Sequence, residues 1–142
     1  MKKLIVASIT PFDGQDQINE QAVKQLWDRN LAEGADGFFI GGSSGECFLL
    51  SQQERIHTYE LGAQYLDRAE IFAHVGAIRT DEAVTYAKEA KALGIKNIAA
   101  TPPFYFGFSA KEVANYYYDI ASAAGAPVLY YNIPSSTHRE LD

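Results

Sequence analysis

Apolar residues in this chain form two alternating patterns, short continuous runs and longer stretches with helical spacing. Short all-apolar runs are typical of strands buried on both faces of a parallel sheet. Runs of this kind predict five strands, at residues 4–9, 37–40, 71–75, 97–100 and 128–131.

The stretches between these strands predict four helices, because their apolar residues recur about every 3.6 positions. In the first helix, Val23, Trp27 and Leu31 share one face, and Gly34 is expected to end it. The third helix is predicted from about residue 80 to about residue 94.

Two of the helices begin with a recognisable cap. Ser51 with Glu54, and Ser109 with Glu112, have the spacing of a capping box, in which each side chain binds the other residue's backbone N–H. The second and fourth helices should therefore begin at these serines.

The resulting order, βαβαβαβαβ with a strand about every 30 residues, is that of parallel βα units in an α/β protein. A doubly wound sheet of five strands would be complete at this length. A (β/α)₈ barrel would be little more than half built, since it needs about 250 residues. The pattern leaves both open, and in both a ligand binds at the carboxyl ends of the strands.

Composition and charge argue against nucleic-acid binding, a membrane span, an internal disulfide and a metal site. The chain has 142 residues and a formal net charge of −6, which disfavours nucleic-acid binding. No apolar run approaches the roughly 20 residues of a membrane span. The single cysteine, Cys47, excludes an internal disulfide and fits the reducing cytoplasm. The three histidines lack the spacing of metal ligands, so no metal is expected.

The richest local signal is Gly-Gly-Ser-Ser-Gly-Glu at residues 41–46, directly after the second strand. Glycines let the backbone approach a ligand closely, and adjacent hydroxyls and backbone N–H groups can hold an anion. Ser43 and Ser44 are therefore candidate ligands for a carboxylate or a phosphate. A purely structural turn is the simpler alternative.

The same residues contain the Gly-x-Ser-x-Gly pattern of a serine hydrolase, with Ser43 as nucleophile. His138 could act as its base, with Asp119 or Asp142 behind it. That motif needs a helix directly after the serine, whereas the next helix is expected only at Ser51. A hydrolase is therefore a minor alternative.

Three further strand ends carry polar or aromatic residues. Tyr131 closes the fifth strand, where its phenol could relay a proton toward the rim that holds Ser43. Tyr105 lies in an aromatic loop after the fourth strand, and His74 is expected to be a hydrogen-bonded interior histidine.

Together these motifs resemble the dihydrodipicolinate synthase and N-acetylneuraminate lyase superfamily. The resemblance covers nearly the whole chain and rests on residues 42–46, 101–105 and 131–134, each after a predicted strand. Residues 72–76 are similar to the lyase branch, and Ser136 stands where the synthase branch has an arginine.

The resemblance implies a (β/α)₈ barrel that cleaves N-acetylneuraminate to pyruvate and N-acetylmannosamine through a lysine Schiff base. It implies that Ser43 and Ser44 hold the pyruvate carboxylate and that Ser43 is also a catalytic residue. It implies that Tyr131 shuttles the proton and that Tyr105 completes the relay from a neighbouring subunit. It further implies a cytoplasmic homotetramer that acts on a small 2-oxo acid without a cofactor, nucleic acid or membrane.

The Schiff-base lysine of this superfamily lies on the sixth strand, which these residues do not reach. Residues 1–142 are therefore expected to be the N-terminal part of one barrel domain, about five strands and four helices, inactive alone. Another pyruvate-dependent sugar-acid aldolase, a synthase-like enzyme and a non-catalytic half-barrel binding module are the further alternatives.

Overall fold

Five parallel strands alternate with helices in the computed structural model, which describes residues 2–140. The strands are β1 (Ile5–Ala7), β2 (Gly37–Ile40), β3 (Glu70–His74), β4 (Asn97–Ala100) and β5 (Val128–Tyr130). The helices are α1 (Glu20–Ala32), α2 (Gln52–Ala63), α3 (Thr80–Ala92), α4 (Ala110–Ala124) and α5 (Pro134–Thr137), and a 3₁₀ turn covers Ser43–Gly45. The strand order in the sheet is β1-β2-β3-β4-β5.

The predicted α/β class and the five parallel strands are confirmed, with changes at the boundaries. β2 and β4 have the predicted bounds, whereas β1 covers only part of residues 4–9. β5 ends at Tyr130, so Tyr131 follows the strand instead of closing it. β3 is shifted one residue toward the N-terminus. The 3₁₀ turn and the short helix α5 were not predicted.

Both capping boxes are present as predicted. The side chain of Ser51 accepts a hydrogen bond from the Glu54 N–H, and the carboxylate of Glu54 accepts one from the Ser51 N–H. Ser109 and Glu112 repeat this arrangement at the start of α4. These reciprocal bonds satisfy backbone donors that the first helical turn leaves without a partner.

The described chain divides between Ala73 and His74 into two compact units. In the first unit, β2 pairs in parallel with β1 and β3. Its core is built on Trp27 of α1, which stacks on Phe38 of β2 at 5.0 Å between ring centroids. Tyr65 meets Trp27 edge-on at 5.1 Å. The aromatic cluster thus fixes α1 against β2.

In the second unit, β4 pairs in parallel with β5, and the Val75 N–H donates to the Ala99 carbonyl oxygen at 2.7 Å. The buried faces of α3 and α4 supply a large part of its core, and they carry Ala83, Tyr86, Ala87, Ala90, Val113, Tyr116, Ile120 and Ala124. The Tyr116 hydroxyl accepts from the Ala77 N–H at 3.0 Å, which anchors the chain segment between β3 and α3 to α4.

No helix among the described residues is long and apolar enough to cross a membrane.

Candidate active site

The Ser43–Gly45 turn directly follows β2 and presents two hydroxyl groups. Gly41 adopts φ +63°, a left-handed conformation that glycine enters without steric cost. The turn closes through a 3.1 Å hydrogen bond from the Gly45 N–H to the Gly42 carbonyl oxygen. Ser43 and Ser44 are exposed, while the two flanking glycines are buried. The turn can therefore offer both hydroxyls to an anion while its backbone stays fixed.

A threonine from the loop after β1 supports this turn. Thr10 Oγ1 donates a 2.9 Å hydrogen bond to the Gly45 carbonyl oxygen. A Cβ atom on Gly45 would lie 3.1 Å from Thr10 Oγ1 and 3.2 Å from the Ser8 carbonyl oxygen, tighter than usual contact distances. Only glycine fits this approach without displacing its neighbours. No residue near Thr10 in the sequence indicates this role.

Hydrogen bonds from the core reach the same loop. Trp27 Nε1–H donates to Ser8 Oγ at 2.8 Å, and Ser8 Oγ–H donates to the Ile9 carbonyl oxygen at 2.9 Å. The buried indole thus orients the segment that carries Thr10. The turn and its supports all belong to the first unit.

Cys47, two residues after the turn, is a structural side chain. It is 1% exposed, and burial raises the pKa of its thiol, although the nearby Arg55 guanidinium opposes this shift. A protonated, buried thiol is a poor nucleophile. Cys47 therefore contributes packing beneath the turn.

The structure does not give Ser43 the setting of a hydrolase nucleophile. The next α-helix begins only at Gln52, and Ser43 is not among the described non-glycine residues with positive φ. His138 is an exposed C-cap residue of α5, and Asp119 is exposed on α4. Asp142 lies outside the described residues. The strand–turn–helix elbow is thus missing at this serine.

Tyr131 immediately follows β5 and is held by backbone and ring contacts. Its N–H donates to the Ala100 carbonyl oxygen at 2.9 Å, which continues the pairing of β5 with β4. The Tyr117 hydroxyl donates to the same oxygen at 2.7 Å. Burial raises the pKa of the Tyr117 phenol, so this group remains a proton donor. Tyr131 itself is half-buried.

His74 is the interior histidine that the sequence predicted. It is 0% exposed, and its Nε2 accepts a 3.1 Å hydrogen bond from the Thr101 N–H. Its ring meets that of Tyr131 edge-on, with centroids 5.8 Å apart and planes at 84°. The structure thus brings together a buried histidine and the candidate proton-transfer phenol in the second unit.

Tyr105 has an unusual backbone in the loop between β4 and α4. It is 83% exposed and adopts φ +76°, which bulky residues rarely do. Its ring contacts Phe106 edge-on at 4.9 Å. The preceding residues Thr101, Pro102 and Pro103 are buried, so the aromatic tip projects from a fixed base.

None of the chain's lysines lies at the carboxyl end of a strand, and all of them are described. Lys2 and Lys3 precede β1, and Lys96 precedes β4. The remainder lie on helices: Lys24 on α1, Lys88 and Lys91 on α3, and Lys111 on α4. Residues 2–140 also contain no group of three or more side chains suited to a metal ion.

The sequence profile of the Dihydrodipicolinate synthetase family matches residues 1–142. The chain belongs to this family. Within the family, it is 36% identical over 137 residues to the N-acetylneuraminate lyase of Citrobacter koseri, a match that covers 95% of this chain and 46% of that protein. The chain thus spans about half the length of the curated relatives it matches.

Solved structures of family relatives have the same fold. The protein CdNal from Clostridium difficile, crystallised in complex with mannosamine, superposes with a TM-score of 0.94 at 32% identity, over 100% of this chain and 50% of that one. The 4-hydroxy-tetrahydrodipicolinate synthase of Methylacidiphilum fumariolicum gives 0.93 at 30% identity, over 100% and 47%. The fold is that of the (β/α)₈ barrel aldolases, and this chain covers about half of each.

Proposed function

We propose that these residues belong to a class I aldolase that cleaves N-acetylneuraminate to pyruvate and N-acetylmannosamine. The observation that carries the proposal is the Ser43–Gly45 turn, two exposed hydroxyls on a backbone fixed by Thr10 at the end of a buried strand. Family membership and the 36% identity to an N-acetylneuraminate lyase support this substrate.

In the proposed reaction, a lysine amine condenses with the ketone of the 2-oxo acid and water leaves. The resulting imine accepts the electron pair released when the carbon–carbon bond breaks. The hydroxyls of Ser43 and Ser44 hold the substrate carboxylate throughout, and Ser43 is also proposed to be a catalytic residue. A carboxylate held by two hydroxyl donors fixes the ketone relative to the lysine, which is the main benefit of such a clamp.

Tyr131 is proposed as the proton relay. It removes the proton of the sugar hydroxyl as the bond breaks and returns a proton to the carbon that becomes the pyruvate methyl group. Its backbone bond to Ala100 and its ring contact with His74 support this role, because a relay must be held in a fixed position.

Tyr105 is proposed to complete the relay in a neighbouring subunit of a cytoplasmic homotetramer. Its exposure and left-handed backbone support this, since strained conformations cluster at sites of contact and function.

The Schiff-base lysine is proposed to lie outside residues 2–140. The positions of the described lysines, on helices or at the amino ends of strands, support this proposal. The part of the protein described in this structure would then bind the carboxylate and supply the relay but would be inactive alone.

The test is a substrate panel assayed with the full-length protein. The proposal predicts release of pyruvate from N-acetylneuraminate with a larger kcat/KM than from 2-keto-3-deoxygluconate, and no formation of dihydrodipicolinate. A preference for the other sugar acid, or synthase activity, would replace the substrate assignment and leave the aldolase chemistry in place. If no substrate releases pyruvate and the protein still binds small carboxylates, the half-barrel binding module becomes the better account. Labelling of Ser43 by a fluorophosphonate would instead favour the hydrolase.

A further inference from the structure

His74 is a buried side chain that has no role in the reaction as proposed above. It ends β3 with 0% of its surface exposed, and it lies against the ring of Tyr131. A histidine enclosed in this way contacts neither solvent nor the sugar, so any effect on the reaction passes through its neighbours.

The contact between His74 and the end of β4 defines the state of the imidazole. The Thr101 N–H donates to His74 Nε2 at 3.1 Å, and Thr101 Oγ1 lies 3.3 Å from the same nitrogen. A backbone N–H can only donate, so Nε2 carries no proton and the ring is neutral with its proton on Nδ1. We name the pair formed by His74 Nε2 and the Thr101 N–H the histidine clasp.

The clasp continues through backbone bonds to Tyr131. Ala100 precedes Thr101 at the end of β4, and its carbonyl oxygen accepts from the Tyr131 N–H at 2.9 Å. The ring of Tyr131 in turn contacts the ring of His74. The two planes meet at 84°, the edge-on geometry that aromatic pairs prefer. The ends of β3, β4 and β5 are thus joined through one imidazole.

The histidine clasp requires glycine at position 76. A Cβ atom at this position would lie 2.6 Å from Thr101 Oγ1 and 2.8 Å from His74 Nε2, distances at which something must shift. The absence of a side chain at residue 76 therefore leaves room for the imidazole and the threonine to meet. A substitution at Gly76 offers an independent way to disturb the clasp.

We propose that His74 is a positioning residue that fixes the ring of Tyr131 through its clasp on Thr101 and its edge-on ring contact. This inference rests on the proposed function, in which the Tyr131 phenol transfers the proton. The Nε2 atom takes no proton from Tyr131 in this role, because it accepts from the Thr101 N–H.

The experiment uses the full-length protein with three substitutions. Together they distinguish the hydrogen bond between His74 and Thr101 from the ring contact between His74 and Tyr131. His74→Gln retains an acceptor within reach of the Thr101 N–H but removes the ring. His74→Phe retains a ring against Tyr131 but removes the acceptor, and Gly76→Ala displaces both partners. His57→Gln, a partly exposed histidine of α2 that bridges Glu20 and Glu60, is the matched control.

We expect each of the three substitutions to lower kcat at least tenfold while KM changes less than threefold, with the control within twofold of the parent protein. A His74→Gln protein that folds and keeps kcat within twofold would overturn the proposal. A loss of kcat that only follows the melting temperature, with equal change in KM, would also overturn it.

A second measurement separates this inference from the proposed function. In protein labelled with 3-fluorotyrosine, the ¹⁹F resonance of Tyr131 is assigned by its loss in Tyr131→Phe. We expect that resonance to move in His74→Gln and Gly76→Ala but not in His57→Gln, whether or not the protein cleaves a sugar acid. An unmoved resonance would contradict the positioning role even if the aldolase activity is found, and a moved one would support it even if that activity is absent.

Discussion

Thr10 and Gly45 are 35 residues apart in the sequence, yet Thr10 Oγ1 donates a 2.9 Å hydrogen bond to the Gly45 carbonyl oxygen. The bond ties the loop after β1 to the turn that presents Ser43 and Ser44. Because those serines are exposed, the precision of the turn depends on its buried side. Thr10 supports that side by a direct hydrogen bond.

Thr10→Val tests this support. The substitution keeps the shape of the side chain but removes its donor, so the Gly45 carbonyl oxygen loses a partner at a cost of about 1 kcal/mol. If the turn holds the substrate carboxylate as proposed, the KM for the sugar acid should rise about fivefold, the factor to which about 1 kcal/mol corresponds, with a smaller change in kcat. Steady-state kinetics measure both constants. Thr10→Ser retains the hydroxyl and serves as the control, and an equal rise in KM in this variant would show that the hydrogen bond is not the cause.

Tyr131→Phe tests the proton relay. Positioned general acid–base groups contribute about 10²- to 10⁴-fold to a rate. We expect a loss of kcat in that range with KM nearly unchanged, because the ring and its contact with His74 remain. The matched control is Tyr130→Phe, one residue earlier, where the ring stacks on Tyr117 at 5.2 Å. If both variants lose activity equally, the effect comes from packing at the end of β5 and the relay assignment fails.

The capping box of α2 makes stability depend on pH. Hydrogen bonds from the Ser51 hydroxyl and backbone hold the pKa of Glu54 below its usual value. A lowered carboxyl pKa means that the folded state binds protons less readily than the unfolded state. The stabilisation is therefore complete above about pH 4.5, the ordinary range for glutamate, and is lost as the pH falls through the lower pKa of the folded state.

Ser51→Ala should lower the free energy of unfolding by about 1 kcal/mol at pH 7, as is typical for loss of an N-cap. The difference from the parent should shrink as the pH falls through the lowered pKa of Glu54 in the folded state, where its carboxylate becomes protonated. Denaturant unfolding of the full-length protein at pH 7 and through the acidic range measures this. Ser51→Thr keeps an acceptor and should cost less, whereas a difference independent of pH would place the effect outside the Ser51–Glu54 pair.

Sequence reasoning succeeded where the signal is local. The caps at Ser51 and Ser109 depend on a partner three residues away, and the apolar runs at residues 37–40 and 97–100 coincide with β2 and β4. Strand ends were less accurate because pairing with neighbours decides them. The run at 4–9, for example, is in strand register with β2 at residues 5–7, and beyond them the Ser8 N–H donates to the Phe39 carbonyl oxygen.

The features of the candidate site that the sequence does not predict depend mainly on contacts between residues far apart in the chain. Nothing near Thr10 in the sequence indicates Gly45, 35 residues away, as its partner. The clasp between His74 and Thr101 likewise joins residues 27 apart, although the interior position of His74 was predicted. The left-handed backbone of Tyr105 has no local signal either, because tyrosine is not a residue that favours positive φ.

The central claim is that the Ser43–Ser44 turn holds the carboxylate of a 2-oxo acid that forms an imine with a lysine. Borohydride reduction of the full-length protein in the presence of pyruvate, followed by peptide mass mapping, tests it most directly. We predict one modified lysine, located outside residues 2–140, and half-maximal trapping at about 10-fold or more higher pyruvate in Ser43→Ala, because a hydrogen bond to a charged group contributes about 1.5–3 kcal/mol. No adduct, an adduct on one of the described lysines, or trapping that is indifferent to Ser43→Ala and Ser44→Ala would contradict the account.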